Sequence, residues 1–238
     1  MEHQNILIVE DEMVVAQSIK HKLTKMGYTI VGICSNGTEA LQVVDKVLPN
    51  LFLMDIKLDG YPDGIETAQV ITNKFDIPIV YITAYADEET LGRAKLTVPY
   101  GYVLKPFTDR ELRSNIEIAF YKHNMEKELK RSEHHLRTII QSMNNGLLVL
   151  DEKWNVTFVN DQVISLLGFP ESELIGYPAQ NLISDESKET GDLLWQEGTI
   201  WSERSFEIKL KMKNNGSLPV LISPKLFLDN TMVFQGGI

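Results

Sequence analysis

The chain has 238 residues, 43% hydrophobic and 24% charged, the composition of a soluble globular protein with room for one large or two ordinary domains. Its longest apolar runs, Ile6 to Val9, Ile77 to Ile82 and Gly146 to Leu150, fall far below the roughly 20 residues of a membrane span, so no membrane partner is expected. The start, Met-Glu-His-Gln-Asn, has neither the basic nor the apolar region of a signal peptide, and the lone Cys34 excludes an internal disulfide framework, which together predict a reducing, cytoplasmic setting. The net charge of −10 is shared evenly. Residues 1–122 hold 12 Lys+Arg against 17 Asp+Glu, and residues 123–238 hold 11 against 16, so each half stands at −5. Nucleic-acid binding leans on phosphate neutralisation by Lys and Arg, so direct contact with nucleic acid is not expected.

In chain order, apolar bursts alternate with amphipathic stretches through the first half. Ile6 to Val9, Thr29 to Cys34, Leu51 to Met54, Ile79 to Thr83 and Tyr102 to Leu104 read as buried strands. Val14 to Met26, Thr38 to Leu48, Ile65 to Phe75 and Glu88 to Lys95 read as helices, with Gly27 at a helix C-cap and Pro49 and Pro78 at turns. Five such units predict a doubly wound α/β fold with a five-stranded parallel sheet, whose sites form outside the carboxyl ends of the strands. From Thr108, where Thr108 and Glu111 make a capping box, a helix is predicted to about Met143. Met125, Leu129, Ser132, Leu136, Ile139 and Met143 follow one another at spacings of 4, 3, 4, 3 and 4, a short heptad-like seam. This reads as a connector paired with a second copy, or as a helix packed on its own domain.

Beyond Asn145-Gly146 the texture changes. Leu147 to Leu150 and Val156 to Val159 predict strands around the turn Asp151-Glu152-Lys153. Asn160 opens a short helix from Asp161 to Leu167, and a further helix is predicted over Asp185 to Glu197. Ser205 to Lys211 alternates, Asn214-Asn215-Gly216 is a hairpin turn, and Leu218 to Leu228 answers it. Asp229-Asn230 is a second turn before a last strand from Met232 to Ile238. The second half is therefore predicted as an antiparallel-sheet α+β domain.

Four strand ends carry polar groups: Glu10-Asp11, Asp55, Thr83 and Lys105. Adjacent parallel strands place these ends side by side. Three carboxylates gathered there repel, and a hard cation such as Mg²⁺, which prefers oxygen ligands, relieves the repulsion. Asp11 and Asp55 are expected to ligate it directly with the backbone carbonyl of Lys57, and Glu10 to hold a metal-bound water. Asp55 is expected to be the nucleophile that forms an acyl phosphate. The Lys105 ammonium offsets charge on the transferring oxygens, and the Thr83 hydroxyl donates to one of them.

Ile-Val-Glu10-Asp11-Glu, Leu-Met-Asp55-Ile, Ile-Thr83-Ala84-Tyr and Gly-Tyr102-Val-Leu-Lys105-Pro106-Phe resemble the motifs of the response-regulator receiver family, over residue 5 to about 122. That resemblance implies a flavodoxin-like fold and Mg²⁺-dependent phosphorylation of Asp55 by a histidine kinase or phosphotransfer protein. It also implies a switch in which the Thr83 side moves toward the phosphoryl group and Tyr102 turns inward, and a cis Lys105–Pro106 peptide. The segment after Asp55, Ile-Lys-Leu-Asp59-Gly60-Tyr-Pro-Asp63-Gly64, is one residue longer before its Asp-Gly pair than the family's usual loop, and more acidic.

Residues 133–238 resemble a PAS domain through Asn145-Gly146-Leu-Leu-Val-Leu-Asp, Phe158-Val-Asn160, Leu167-Gly168-Phe-Pro-Glu-Ser-Glu-Leu-Ile-Gly176 and Asn215-Gly216-Ser-Leu-Pro-Val. From Asn144 onward there is neither Cys nor His, which excludes a flavin-cysteinyl photocycle and removes the usual haem ligand. The PAS ligand, if any, stays unassigned, and dimerisation is the other reading. Glu133-His134-His135-Leu136-Arg137-Thr138 is faintly similar to a histidine-kinase phosphoacceptor helix, but Ile139 stands where that helix has Pro, so both histidines read as polar connector positions.

The expected organisation is a receiver at 1–122, a helical connector at 123–143 and a PAS domain at 144–238 whose final strand, Phe234-Gln-Gly-Gly-Ile238, reads as cut partway. The expected function is a homodimeric two-component response regulator that is not an enzyme beyond catalysing its own phosphorylation and dephosphorylation. Two alternatives stay open: the receiver-PAS part of a larger sensor histidine kinase, and a PAS ligand sensor with secondary phosphorylation.

Overall fold

The computed structural model describes residues 4–84, 88–194, 205–228 and 234–237. The apolar runs of the first half form strands β1 (Asn5–Val9), β2 (Thr29–Cys34), β3 (Leu51–Asp55), β4 (Ile79–Thr83) and β5 (Gly101–Leu104). All four pairings are parallel and the order is β2-β1-β3-β4-β5. The helices are α1 (Met13–Lys25), α2 (Gly37–Val47), α3 (Gly64–Lys74), α4 (Glu88–Lys95) and α5 (Asp109–Gln141).

Successive strand residues point to opposite faces, so unbroken apolar strands need cover on both sides. Leu7, Val9, Phe52, Met54 and Tyr81 face a layer containing Ala40 and Val44 of α2, Ala68 and Ile71 of α3 and Ala94 of α4. Ile6, Ile8, Leu51, Leu53, Val80, Ile82 and Val103 face Ile19 and Leu23 of α1 and Leu112, Ile116, Ala119 and Phe120 of α5. Local chemistry sets the helix ends. Asn36 caps α2 by accepting from the Glu39 amide, and Asp63 with Glu66 forms a reciprocal capping box on α3. Gly27 follows α1 with φ +96, a left-handed value that costs glycine little. Thr108 and Glu111 make the expected box on α5, at 2.8 and 3.2 Å.

Packing divides the chain into two compact units, Met1–Lys130 and Arg131–Ile238. In the second, β6 (Leu148–Leu150) and β7 (Val156–Val159) pair and are followed by α6 (Asp161–Leu167) and α7 (Glu171–Leu174). After α8 (Lys188–Leu194) come β8 (Phe206–Lys211), β9 (Ser217–Ile222), β10 (Leu226–Leu228) and β11 (Phe234–Gly237). All pairings are antiparallel, in a four-stranded sheet β10-β11-β6-β7 and a β8-β9 hairpin. Leu150, Val156, Val159, Val163, Leu167, Leu174, Ala179 and Leu182 form its core. Among the described residues no helix is long and apolar enough to cross a membrane.

Three sequence expectations are corrected. Helix α5 stops at Gln141 rather than Met143: the Ser142 amide is shared between the Thr138 and Ile139 carbonyls, at 3.0 and 3.2 Å, and the Met143 amide bonds only three residues back, to Ile140 at 3.4 Å. The single strand expected over Leu218 to Leu228 is broken at residues 223–225, where Pro224 has no amide to donate. The helix expected from Asp185 begins as a 3-10 turn over Asp185–Ser187 and becomes α-helical at Lys188. Its expected end at Glu197, the turn Asp229-Asn230 and part of the last strand lie outside the described residues.

Two consequences are testable. A Cβ at Gly64 would lie 1.8 Å from the Asp55 carbonyl oxygen, whereas one at Gly92 meets nothing within 4 Å. Gly64→Ala should therefore destabilise by roughly 1–3 kcal/mol through forced displacement. Gly92→Ala, on an open helical site, should stabilise by about 0.4–1 kcal/mol. Urea midpoints of the two variants against the parent decide this, and equal shifts would refute the packing account. Secondly, Cys34 is buried at the end of β2, and burial, aided by the nearby Glu39 charge, pushes its thiol from 9.0 up to about 12. A raised folded value means that its contribution to stability is intact below about pH 9 and is lost as pH rises toward 12. At pH 8 the native thiolate fraction drops by about a thousandfold. Native protein should resist a disulfide-exchange reagent that labels it at once in guanidinium chloride. Fast native labelling would show the thiol is open.

Candidate functional site

Strands β1 and β3 are neighbours, with β4 and β5 beyond β3, so the residues that leave their carboxyl ends share one edge. Glu10 follows β1 and is fully buried, its amide donating to the Cys34 carbonyl at 2.9 Å. Asp55 ends β3, and the Lys57 backbone N–H donates to its Oδ1 at 2.9 Å. Thr83 ends β4 and is buried. Lys105 follows β5, and its amide donates to the Thr83 carbonyl at 2.7 Å. Its ammonium donates to Glu10 Oε1 and Oε2 at 2.9 and 2.7 Å and to Asp55 Oδ2 at 2.5 Å. Glu10, Asp11 and Asp55 each offer a carboxylate oxygen, all within 4.8 Å of one another.

Burial raises the proton affinity of Glu10, and the charges of Asp55 and Asp11 add to the rise, while the Lys105 ammonium opposes it. Burial also works against the Lys105 charge, but hydrogen bonds to Asp55 and Glu10 outweigh it and hold the ammonium above the usual lysine range. Breaking such a buried pair by removing one partner costs about 3–5 kcal/mol, because a charge is left uncompensated. Three carboxylates and one ammonium leave a formal charge of −2 on the cluster. A divalent cation matches that charge, and all-oxygen donors match a hard one. The residues present thus fit the Mg²⁺ that the receiver fold implies.

The loop after Asp55 is fastened at its far end. The Gly64 amide bonds the Ile56 carbonyl at 3.2 Å, and Asp63 Oδ2 accepts from Arg93 Nη2 of α4 at 2.8 Å. The loop contains a cis Tyr61–Pro62 peptide, and Lys105–Pro106 is also cis. Tyr102 packs its ring 5.7 Å from that of Tyr81, and its hydroxyl is buried with no hydrogen-bond partner among the described residues. Sequence reasoning missed the Arg93–Asp63 pair and the tightness at Gly64. The Asp-Gly dipeptide was the available signal for the second; no local pattern marks the first. In the second unit, His134 and His135 lie exposed on α5.

The comparisons follow the same division. The response regulator receiver domain family matches residues 6–117, and the PAS fold matches residues 134–236. The transcriptional regulatory protein PdtaR of Mycobacterium tuberculosis is 31% identical over 146 residues, 61% of this chain and 69% of that protein. The probable transcriptional regulator ycf27 of Pyropia yezoensis is 30% identical over 184 residues, 73% of this chain and 70% of that one. The crystal structure of the signal receiver domain of a modulated diguanylate cyclase from Desulfovibrio desulfuricans G20 aligns at a TM-score of 0.51 and 37% identity, over 52% of this chain and 99% of that one. With the doubly wound sheet, the acidic edge and these matches together, the chain belongs to the response-regulator family of two-component signalling, with a receiver domain followed by a PAS domain.

Proposed function

We propose that Asp55 accepts a phosphoryl group from the phosphohistidine of a kinase or phosphotransfer protein. The observation that carries this reading is the Lys105 ammonium bonded at once to Asp55 and Glu10, at the edge where three carboxylates meet. An Asp55 carboxylate oxygen attacks phosphorus and the P–N bond to the donor histidine breaks. The electron pair leaves on the imidazole, which takes a proton from solvent, and an acyl phosphate remains on Asp55. Asp11, Asp55 and the backbone carbonyl of Lys57 would hold Mg²⁺, with Glu10 acting through water. When bound, the ion would offset charge on the transferring oxygens. Lys105 exchanges its bond to Asp55 Oδ2 for one to the phosphoryl group, and the Thr83 hydroxyl donates to another phosphoryl oxygen. The buried, unpartnered Tyr102 hydroxyl marks a side chain able to change its contacts when the Thr83 side moves.

In this reading residues 1–122 receive the signal, 123–143 carry it and 144–238 form the PAS module, all in the cytoplasm. The relatives are named as transcriptional regulators. With −5 on each half of this chain, its own output runs through protein contacts rather than DNA. With Mg²⁺ and acetyl phosphate, borohydride trapping should map label to Asp55. Asp55→Asn should take none, and Asp11→Ala should lose Mg²⁺ binding by nuclear magnetic resonance titration. Label at another aspartate would overturn the assignment.

The connector is proposed to pair with a second copy. Met125, Leu129, Leu136, Ile139 and Met143 are all exposed large apolar side chains. Each contributes roughly 1.5–3 kcal/mol when well buried, against an association cost of about 4 kcal/mol or more. A weak dimer is the expected product. Leu129→Glu with Leu136→Glu should dissociate it by light scattering with circular dichroism unchanged. A dimer of undiminished strength would place the interface elsewhere.

A further inference from the structure

Asn160 is wholly buried, and both ends of its side-chain amide are fully used. Oδ1 accepts from the backbone N–H of Leu147 at 2.8 Å and of Val163 at 3.3 Å. Nδ2 donates to the carbonyl of Asn145 at 2.9 Å and of Ile140 at 3.1 Å. These partners belong to different pieces of the chain. Ile140 lies in the last turn of α5, where carbonyls lack the donor four residues on, and its carbonyl also accepts from the Met143 amide at 3.4 Å. Val163 lies in the first turn of α6, where amides lack an acceptor four residues back, and its amide also donates to the Asn160 carbonyl at 3.0 Å. Asn145 and Leu147 lie in the segment between α5 and β6. One side chain therefore bonds the ends of two helices and pins the segment between them. Two donors and a two-lone-pair acceptor on so short a stem describe Asn; Asp lacks the donors and Ser lacks the reach.

Next to it, Gln141 Oε1 accepts from the Asp161 amide at 2.6 Å, filling a second vacant position in the first turn of α6. Residues 131–139 of α5 are all exposed, so this stretch has no apolar seat against the PAS core. Among the described residues, the hydrogen bonds from Asn160 and Gln141 fasten the helix end to the fold that follows. Asn160 also directly follows β7, whose neighbour in the sheet is β6.

We propose that Asn160 is a coupling joint: movement of the connector helix reaches the β6–β7 pair through its amide, not through chain connectivity alone. This deepens the reading of a helix that carries the receiver's state, and its test does not need phosphorylation. Glu133→Gly loosens the exposed helix without touching the joint, because glycine is a poor helix former. In the full parent chain it should speed hydrogen exchange of peptides covering residues 148–159 by about fivefold. In an Asn160→Asp background, which keeps both acceptor bonds and loses both donors, the same change should alter that exchange by less than about 1.5-fold. Asn160→Ser, which keeps a cap for α6 but cannot reach Ile140, repeats the comparison should the carboxylate of the Asn160→Asp variant unfold the domain, and circular dichroism identifies the folded background. An equal response to Glu133→Gly with and without Asn160 would overturn the joint, and so would no response in the parent. Loading of Asp55, read separately by intact mass, bears on the phosphorylation reading alone.

Discussion

The receiver half depends on one ammonium group. Without Lys105, the carboxylates of Glu10, Asp11 and Asp55 would face one another within 4.8 Å at a largely dry sheet edge. Coulomb repulsion at such distances is several kcal/mol even at the effective dielectric of a protein surface. The ammonium reaches two of the three and leaves the cluster short by two charges. That shortfall matches the charge of a divalent cation, for which all-oxygen donors suit a hard ion. The rest of the unit holds these groups still. Apolar strands packed on both faces fix the sheet order, and the sheet order fixes which strand ends meet.

Helix α5 serves the two halves by different physics. Its first turns bury Leu112, Ile116, Ala119 and Phe120 in the receiver core. Further along, Tyr100 of the receiver donates to Glu126 at 2.6 Å and meets the His123 ring edge-on. Beyond Lys130 the helix is exposed until polar bonds at Ile140 and Gln141 take over. Apolar packing tolerates small sliding, whereas directional hydrogen bonds hold a geometry or break.

The loop between Asp55 and α3 shows how local acidity is absorbed. Asp63 caps α3 with one oxygen and accepts from Arg93 with the other. The longer, more acidic segment noted in the sequence is thus partly neutralised by α4, the helix that follows the Thr83 strand. An exposed pair of this kind adds little stability, so its effect is on geometry.

The amino-acid sequence by itself determined the strands, the order of the βα units and the identity of the residues at their ends. Those signals are local: an apolar run long enough for a strand, then Glu10-Asp11, Asp55, Thr83 or Lys105. The heptad spacing and the Thr108 box likewise marked α5 to within two residues. Tertiary structure alone decided that Lys105 bonds Glu10, 95 residues away, and that Gly64 has no room for a methyl group against Asp55. It also decided that Asn160 bonds the end of a helix 20 residues upstream and that Arg93 reaches Asp63. Periodicity reports which face a residue occupies, not which distant residue shares it. That depends on strand order and close approach, which exist only once both layers of core have packed.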